Sequence, residues 1–563
     1  MKSGAQILIE GLKEQGVDVI FGYPGGVVLP IYDELYDSDI RHILVRHEQA
    51  AIHAADGYAR ASGKVGVCLA TSGPGACNLV TGLATAYMDS IPVVALTGQV
   101  PTVLLGNDAF QESDITGITM PVTKHNFLVQ DVKDLKRIIR EAFYIANTGR
   151  KGPVLIDIPK DVSTTKIPDE DGPDQQIRLR GYKPTYHGHG KQLQKAVELI
   201  EAAERPIIYA GGGVISSEAS EELVKFAERT CMPVTTTLMG LGCMPADHPL
   251  NLGMLGMHGT EYANYAITES DLLFSIGVRF DDRVTGNLAT FAPHAKIIHM
   301  DIDPAEIGKN KTVDVPIVGD AKSILTDLLK KIPAACSHPE WSDKVQAWKK
   351  NHPLRFKEDG KLRPQFVIRK LAEILDGKGV IVSEVGQNQM WTAQYYQFSR
   401  PRQWVTSGGL GTMGFGFPAA MGAQVAIPDE PAVVIAGDGS FQMNIQELGT
   451  IAQYQIPVKI VILNNQFLGM VRQWQELFYE RRYSYTELPE VQFEQIAKAY
   501  GIGAETVRSM SDVEPALRRA IDHNGPYLLD IRVEREENVF PMVPAGAAIS
   551  EMIVGHHTQH EEE

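Results

Sequence analysis

Cysteine is scarce in this chain, with five in 563 residues (Cys68, Cys77, Cys231, Cys243 and Cys336), no CxxC pair and no zinc-like spacing. That excludes a disulfide scaffold and leaves the thiols reading as reduced and mostly buried, as expected of a cytoplasmic protein. Long apolar runs are missing too. No window approaches a membrane span, and MKSGAQILIEGLKEQG interrupts its apolar residues with charges, so it lacks a secretory h-region. Positive charge is in deficit: 53 Lys and Arg stand against 69 Asp and Glu, for a formal charge of −16. Without a basic cluster to override it, that balance excludes a nucleic-acid surface. Repeats and low-complexity tracts are absent. What remains is a globular composition, 44% hydrophobic and 22% charged, at a length suited to about three or four domains.

Short β-rich runs alternate with amphipathic or Ala-rich stretches, the pattern of α/β domains with largely parallel sheets. The first block, 1–165, carries DVIFGYPGG, VGVCLATSGPG, PVVALTGQ and GPVLIDIPKD, each run ending in a Gly/Pro turn where open α/β sheets bind ligands. Residues 166–190 are polar and Pro-rich and read as a linker. The second block, 191–335, opens with a helix and continues through RPIIYAGGGVI, MPVTTTL, SDLLFSIGVRFDD and AKIIHMDIDP. A charged helical connector, 336–363, leads to a third block, 364–535. A tail, 536–563, closes the chain, and its end, HHTQHEEE, reads as solvated.

In the third block AGDGSF places Asp438 just after the apolar run AVVI, where a helix is about to begin. A helix start suits a phosphate better than a carboxylate, unless a cation sits between the two. A second buried run, PVKIVILNN, ends in Asn465, and the helix between the runs makes a strand–helix–strand unit. Its strands are parallel, so Asp438 and Asn465 converge on one sheet edge. In that helix Ile445, Leu448 and Ile451 share a face, and Asn444 with Glu447 is expected as an N-cap pair. A carboxylate and an amide oxygen suit Mg²⁺, which completes its octahedron with phosphate oxygens and water, while Gly437 and Gly439 let main-chain N–H groups approach the phosphates. An ordinary Asp-Gly turn with an unrelated Asn pair is the plainer alternative.

Three other motifs need weighing. GLGTMG (409–414) fits GxGxxG, but the run before it, QWVTS, is short and polar, and the acid that a dinucleotide site wants is Asp438, already assigned. Glu48 opens a helix in HILVRHEQAAIHAADGYARASG. A zinc reading fails there because the histidine following His47 is His53, six residues on rather than four; the plain alternative is a first-turn acid favoured by the helix dipole. In the second block, IIYAGGGVI, SIGVRFDDRVTG and HMDIDP look like turns of a nucleotide-binding sheet, with Asp301 and Asp303 where ribose hydroxyls are often held. Plain turns remain equally open for these glycines, as for those of TSGPGACN.

GDG followed by NN across such a unit resembles the thiamine-diphosphate signature, and nearly the whole chain resembles the catalytic subunits of acetohydroxyacid synthases. The resemblance implies three doubly wound parallel-sheet domains: pyrimidine-binding, a central Rossmann-like FAD domain, and diphosphate-binding. It makes Asp438, Asn465 and the main-chain oxygen of Phe467 the Mg²⁺ ligands, and brings Gln387 and Asn388 of EVGQNQMW to the diphosphate along with Ser440, Gly469 and Met470. Gly411 and Met413 would cup the aminopyrimidine. Glu48, in HEQAA, would hydrogen-bond the pyrimidine nitrogen and promote its imino form, a role that suits a buried carboxyl. Gly26 of YPGG would offer N–H to a developing oxyanion; Phe110 and Gln111 of AFQE would face substrate, and Lys160 of IPKDV would line the approach.

GVRFDDR matches the flavin-carrying members, so FAD is expected against Gly211, Gly212 and Gly213, Gly256, Met257 and His258, Gly277, Arg279, Asp281 and Arg283, and Asp301 and Asp303. Arg279 would also border the substrate channel. Trp474, with Met470 and Val471, would shape the pocket for the second keto acid, and the tail VFPMVPAGAAISEMI would close over it. The implied reaction decarboxylates pyruvate and joins the remaining unit to pyruvate, giving 2-acetolactate, or to 2-oxobutyrate, giving 2-aceto-2-hydroxybutyrate, on the way to valine, leucine and isoleucine. The resemblance further implies a homodimer or homotetramer whose sites span subunits, and a separate small regulatory subunit. An FAD-dependent pyruvate oxidase is the alternative; an aldehyde-releasing decarboxylase and a non-catalytic cofactor-binding subunit stand behind it.

Overall fold

The computed structural model describes residues 1–168, 177, 179–333 and 337–555. Cys336, the linker residues 169–176 and 178, and the terminal HHTQHEEE therefore lie outside the described residues. Each block is built round a six-stranded sheet whose neighbouring strands are all parallel. The apolar runs are the inner strands: Val93–Gln99, Pro206–Ala210 and Lys459–Asn464 are buried along their whole length, as β-branched runs covered on both faces must be. Edge strands such as His125–Leu128 and Gly503–Val507 are half-buried and carry no such run.

Numbering the strands within each sheet by chain order, the first and third sheets both run 2-1-3-4-6-5, and the central sheet runs 3-2-1-4-5-6. The outer blocks thus share a topology that the central one lacks. They also share a hydrophobic core, in which Ala50, Ala54 and Val93 pack with Val382, Ala419 and Ile460. Its centre is the crossing of two helices, Glu48–Ser62 and Gly416–Ala426. Both are built from small residues, and the backbones nearly touch: a Cβ on Gly57 would lie 2.0 Å from the Ala419 carbonyl oxygen, and one on Gly422 1.8 Å from that of Ala54.

The described parts of the segments between blocks are packed. Lys166–Ile167 pairs antiparallel with Lys2–Ser3, and Tyr182 donates to the Thr148 carbonyl at 2.7 Å. The connector helix, Pro339–Asn351, buries Trp341 and Val345 against the central block, with the Trp341 indole donating to the Pro206 carbonyl at 3.0 Å. The expected Asn444–Glu447 cap does not form. Asn444 lies at a kink (φ −131°, ψ 28°) before the helix Leu448–Tyr454. Its amide donates to the Gly414 carbonyl at 2.6 Å, and Glu447 instead accepts the Arg46 N–H and the Thr450 hydroxyl. Distant partners outbid the local cap.

Candidate active site

An open α/β sheet leaves a crevice where its strand order reverses, because the connections on either side depart to opposite faces. In the third sheet that point lies between Val380–Ser383 and Ala432–Gly437. Asp438 follows the second strand and is 2% exposed, with Oδ1 buried and without a hydrogen-bond partner. Burial pushes its carboxyl up to about 7, against hydrogen bonds from its own and Asn465's main-chain N–H groups. Asp438 and Asn465 therefore meet at the sheet edge. An ionised carboxylate left in this state is costly, and a cation beside it removes the cost.

Asn465 donates to Gln387 Oε1 at 3.3 Å and accepts the Phe467 N–H at 3.2 Å. Between them Gln466 is held at φ +57°, the kind of backbone strain found at working sites. Phe467 bridges Glu487, and its neighbours make the ladder bonds, Leu468 to Thr486 and Leu488 to Gln466. The Phe467 N–H accordingly turns to the other side, where it meets Asn465 Oδ1. The donor set, one carboxylate with amide and main-chain oxygens, fits a hard divalent cation.

Gln387 and Asn388 open the helix Gln387–Tyr395. Their side-chain amides are committed elsewhere: Gln387 donates to Gln473 and to the Glu537 carbonyl, and Asn388 to the carbonyls of Glu384 and Ile435. What these two residues offer an anion is first-turn main-chain N–H. Gly469 lies close opposite: a Cβ there would lie 2.1 Å from Gln387 Oε1, so that side chain would have to shift. Gly437 ends its strand, Gly439 packs on Leu468, and the Ser440 hydroxyl donates to the Gly437 carbonyl at 3.2 Å.

The first sheet reverses between Val19–Gly22 and Gly66–Ala70. Gly25 is pressed on Thr71, while Gly26 faces open space. Glu48 begins its helix behind the N-cap His47, whose ring accepts the Gln49 N–H. Its Oε2 accepts from Asn78 Nδ2 at 2.9 Å. The sequence reading weighed the glycines of TSGPGACN and missed Asn78, whose relevance appears only when the two helices meet. Gln111 is left-handed at φ +58°, its main chain against Gly73. Its loop is tied down by Gln99, which donates to the Ser113 carbonyl and to Asp157. Phe110 is 88% exposed, and Lys160 projects from the start of the helix Lys160–Thr164.

At the central sheet's reversal, Gly213 packs directly on Gly277. From there a continuous cleft of about 800 Å³ passes Gly212, Gly213, Met257, His258, Gly277, Arg279, Asp281, Arg283 and Asp301, and reaches Gly411, Met413, Met470, Val471 and Trp474. Gly211, Gly256 and Asp303 lie behind it: the two glycines pack against backbone, and Asp303 accepts from Arg150. Burial pushes Asp301 up to about 7. The tail ties this cleft to the third block. Val539 exchanges hydrogen bonds with Gln473, Pro541 O contacts the His258 ring at 3.2 Å, and Val543 N–H donates to Met257 O. Neither Glu48, Gly26, Phe110, Gln111 and Lys160 of the first block nor Gln387, Asn388, Asp438, Asn465 and Phe467 of the third border the cleft.

Three family models match the chain in order: the N-terminal thiamine pyrophosphate (TPP) binding domain of TPP enzymes over residues 2–118, their central domain over 193–328, and their C-terminal TPP binding domain over 384–531. The chain is 54% identical to a probable acetolactate synthase large subunit of Methanocaldococcus jannaschii, across 98% of this chain and 95% of the relative. It belongs to the acetolactate synthase family of thiamine pyrophosphate enzymes. An acetolactate synthase of Arthrospira platensis is 52% identical over 98% of this chain and 97% of its own, and the acetolactate synthase large subunit of Pyropia yezoensis is 48% identical over 98% and 95%. In acetolactate synthase terms, the two TPP-binding models fall on the blocks that carry Glu48 and Asp438, and the central model on the block that forms the cleft. No helix among the described residues is long and apolar enough to cross a membrane.

Proposed function

We propose that this chain is the catalytic subunit of an acetolactate synthase that uses pyruvate as donor and a second pyruvate, or 2-oxobutyrate, as acceptor. The observation that carries the reading is Asp438, a buried carboxylate whose Oδ1 has no hydrogen-bond partner, beside Asn465 at the third sheet's crevice. Asp438, the Asn465 amide oxygen and the Phe467 carbonyl would hold Mg²⁺. Main-chain N–H groups at Gln387, Asn388, Gly437 and Gly439 would hold the diphosphate, and Gly411 and Met413 would support the ring. Thiamine diphosphate, when bound, supplies the electron sink that lets a 2-keto acid lose CO₂ and form a carbon–carbon bond.

The chain's own groups do the rest. Glu48, oriented by Asn78, would hydrogen-bond the pyrimidine ring nitrogen and hold the proton there. Gly26 N–H and Gln111 stabilise charge on the substrate oxygen. Trp474, Met470, Val471 and Arg279 shape the acceptor pocket, and Phe110 and Lys160 of a second copy would border its entrance. Glu48 and Asp438 belong to different blocks and neither borders the cleft; on this reading a second copy completes each site. The cleft fits FAD in form, with paired glycines at the strand reversal and the buried acid Asp301 where ribose hydroxyls would be held; the ligation needs no net electron transfer, so a flavin there would be structural or inherited. The name "large subunit" borne by relatives supports a small regulatory partner and a place in branched-chain amino-acid synthesis.

The test is anaerobic incubation of the full chain with Mg²⁺, thiamine diphosphate, FAD and pyruvate. The expected product is 2-acetolactate, formed without an electron acceptor. Release of acetate only when an acceptor is added, or of acetaldehyde, would overturn the reading.

A further inference from the structure

The loop Ser407–Gly414, which carries Gly411 and Met413, belongs to the third block, yet its first half is held from the first. Asp89 is the last residue of the helix Val80–Asp89, where the helix dipole disfavours a carboxylate. Its side chain is 1% exposed. Three donors compensate: Gly409 N–H at 2.7 Å, Gly408 N–H at 3.1 Å and the Arg60 guanidinium at 2.8 Å. One turn back on the same face, the Thr85 hydroxyl meets that of Thr412 at 2.7 Å. Arg60 is itself fixed by Asp56 at 2.5 Å and by the Thr406 carbonyl at 2.8 Å, with its guanidinium 5.2 Å from the Phe415 ring centre. The central block closes the remaining side. A Cβ on Gly408 would lie 2.4 Å from the Met239 sulfur, and one on Gly409 3.1 Å from an Arg279 nitrogen. The loop is threaded where all three blocks meet, and Glu384 pins its far end through the N–H groups of Gly414 and Phe417.

We propose that Asp89, held by Arg60 and aided by Thr85, is a positioning residue that fixes the 408–413 loop from the neighbouring block and so sets Met413 for the cofactor ring. This rests on the assignment of Gly411 and Met413 to the cofactor. A carboxylate is needed because main-chain N–H groups and a guanidinium converge on it, and each is charge-assisted by it. Asparagine turns one oxygen into a donor facing donors. Packing alone does not require that charge.

The test uses the full-length protein with Asp89→Asn, Thr85→Val and the hydroxyl-retaining Thr85→Ser. Amide hydrogen exchange is read in the cofactor-free protein, and thiamine diphosphate affinity by tryptophan fluorescence at saturating Mg²⁺. Asp89→Asn and Thr85→Val are expected to raise exchange across 407–414 selectively and to weaken the cofactor about ten- to a hundredfold; Thr85→Ser restores both. Unchanged loop exchange overturns the clamp, as does exchange that rises evenly along the chain with a falling thermal midpoint. Selective loop exchange with unchanged affinity overturns the proposal through its premise, the assignment of Gly411 and Met413.

Discussion

Asp438 carries two opposed requirements. A buried carboxylate with one oxygen left unpartnered works against folding, and the same carboxylate is what a cation needs. Asp438→Asn keeps the shape and removes the charge, so the cofactor-free variant should melt at or above the wild-type temperature while losing the stabilisation that Mg²⁺ and thiamine diphosphate give together. Thermal melts with and without both ligands check this; an equal gain from ligands in both proteins would remove Asp438 from the metal site. Asn78 presents the opposite case, a neutral side chain whose sole described role is a 2.9 Å bond to Glu48. Asn78→Ala should lower kcat about tenfold with the KM for pyruvate little changed, because orientation of the Glu48 carboxyl matters to the reaction and not to substrate capture. Steady-state kinetics decide it, and a loss confined to KM would place Asn78 elsewhere. These residues differ in legibility for a physical reason. Asp438 and Asn465 end two buried runs joined by one helix, so chain order alone brings them together. Asn78 meets Glu48, and Asp89 meets Gly409, only through packing between separate elements, and nothing in a local pattern announces such a pair. Gln111 and Gln466 hold left-handed conformations without being glycine, so the usual sign of a tight turn is missing.

Between elements, the crossing of Glu48–Ser62 and Gly416–Ala426 joins the outer blocks through backbone contact. The alternation of runs gave the three sheets, but not this crossing, since small residues in a helix read equally as propensity. Gly422→Ala places a methyl where the Ala54 carbonyl oxygen now lies, 1.8 Å from the ideal Cβ position. The helices must separate, at a cost of about 1–3 kcal/mol or more; a lower thermal midpoint and a raised fraction of insoluble protein are expected, and an unchanged midpoint would contradict the packing. Glu447 ties the same blocks by accepting Arg46 N–H. Burial raises its carboxyl from the ordinary 4.5 to about 7. Across that window the unfolded chain releases a proton that the folded chain keeps, so stability falls as pH rises and levels off above about 7. Glu447→Gln removes this slope: measured against wild type, the variant should gain in thermal midpoint from about pH 5 to about pH 8. A constant difference across that range would show the carboxyl to be ionised throughout.

On the proposed reading, the chain taken as one body has two incomplete sites. The first block presents Glu48, Gly26 and Gln111 with the exposed Phe110 (88%) and Val103 (80%), and the third presents the proposed metal ligands near the exposed Tyr485 (98%). Apolar side chains so placed suit burial against another copy. In a two-fold pair each site takes Glu48 from one chain and Asp438 from the other, by the self-complementarity of such an interface. Glu48→Gln and Asp438→Ala proteins are each expected to be inactive alone. When they are mixed, dissociated and reassociated, half of the pairs are hybrids. A hybrid has one site with both defects and one with neither, so activity should recover to about a quarter of wild type at equal mixing. The recovery should fall on dilution below the dissociation constant of the pair. A site contained within one chain admits no such rescue, because every chain in the mixture still lacks one of the two carboxylates; mixed protein that stays inactive, although shown to have exchanged subunits, would place both groups in a single chain's site and remove the need for a second copy.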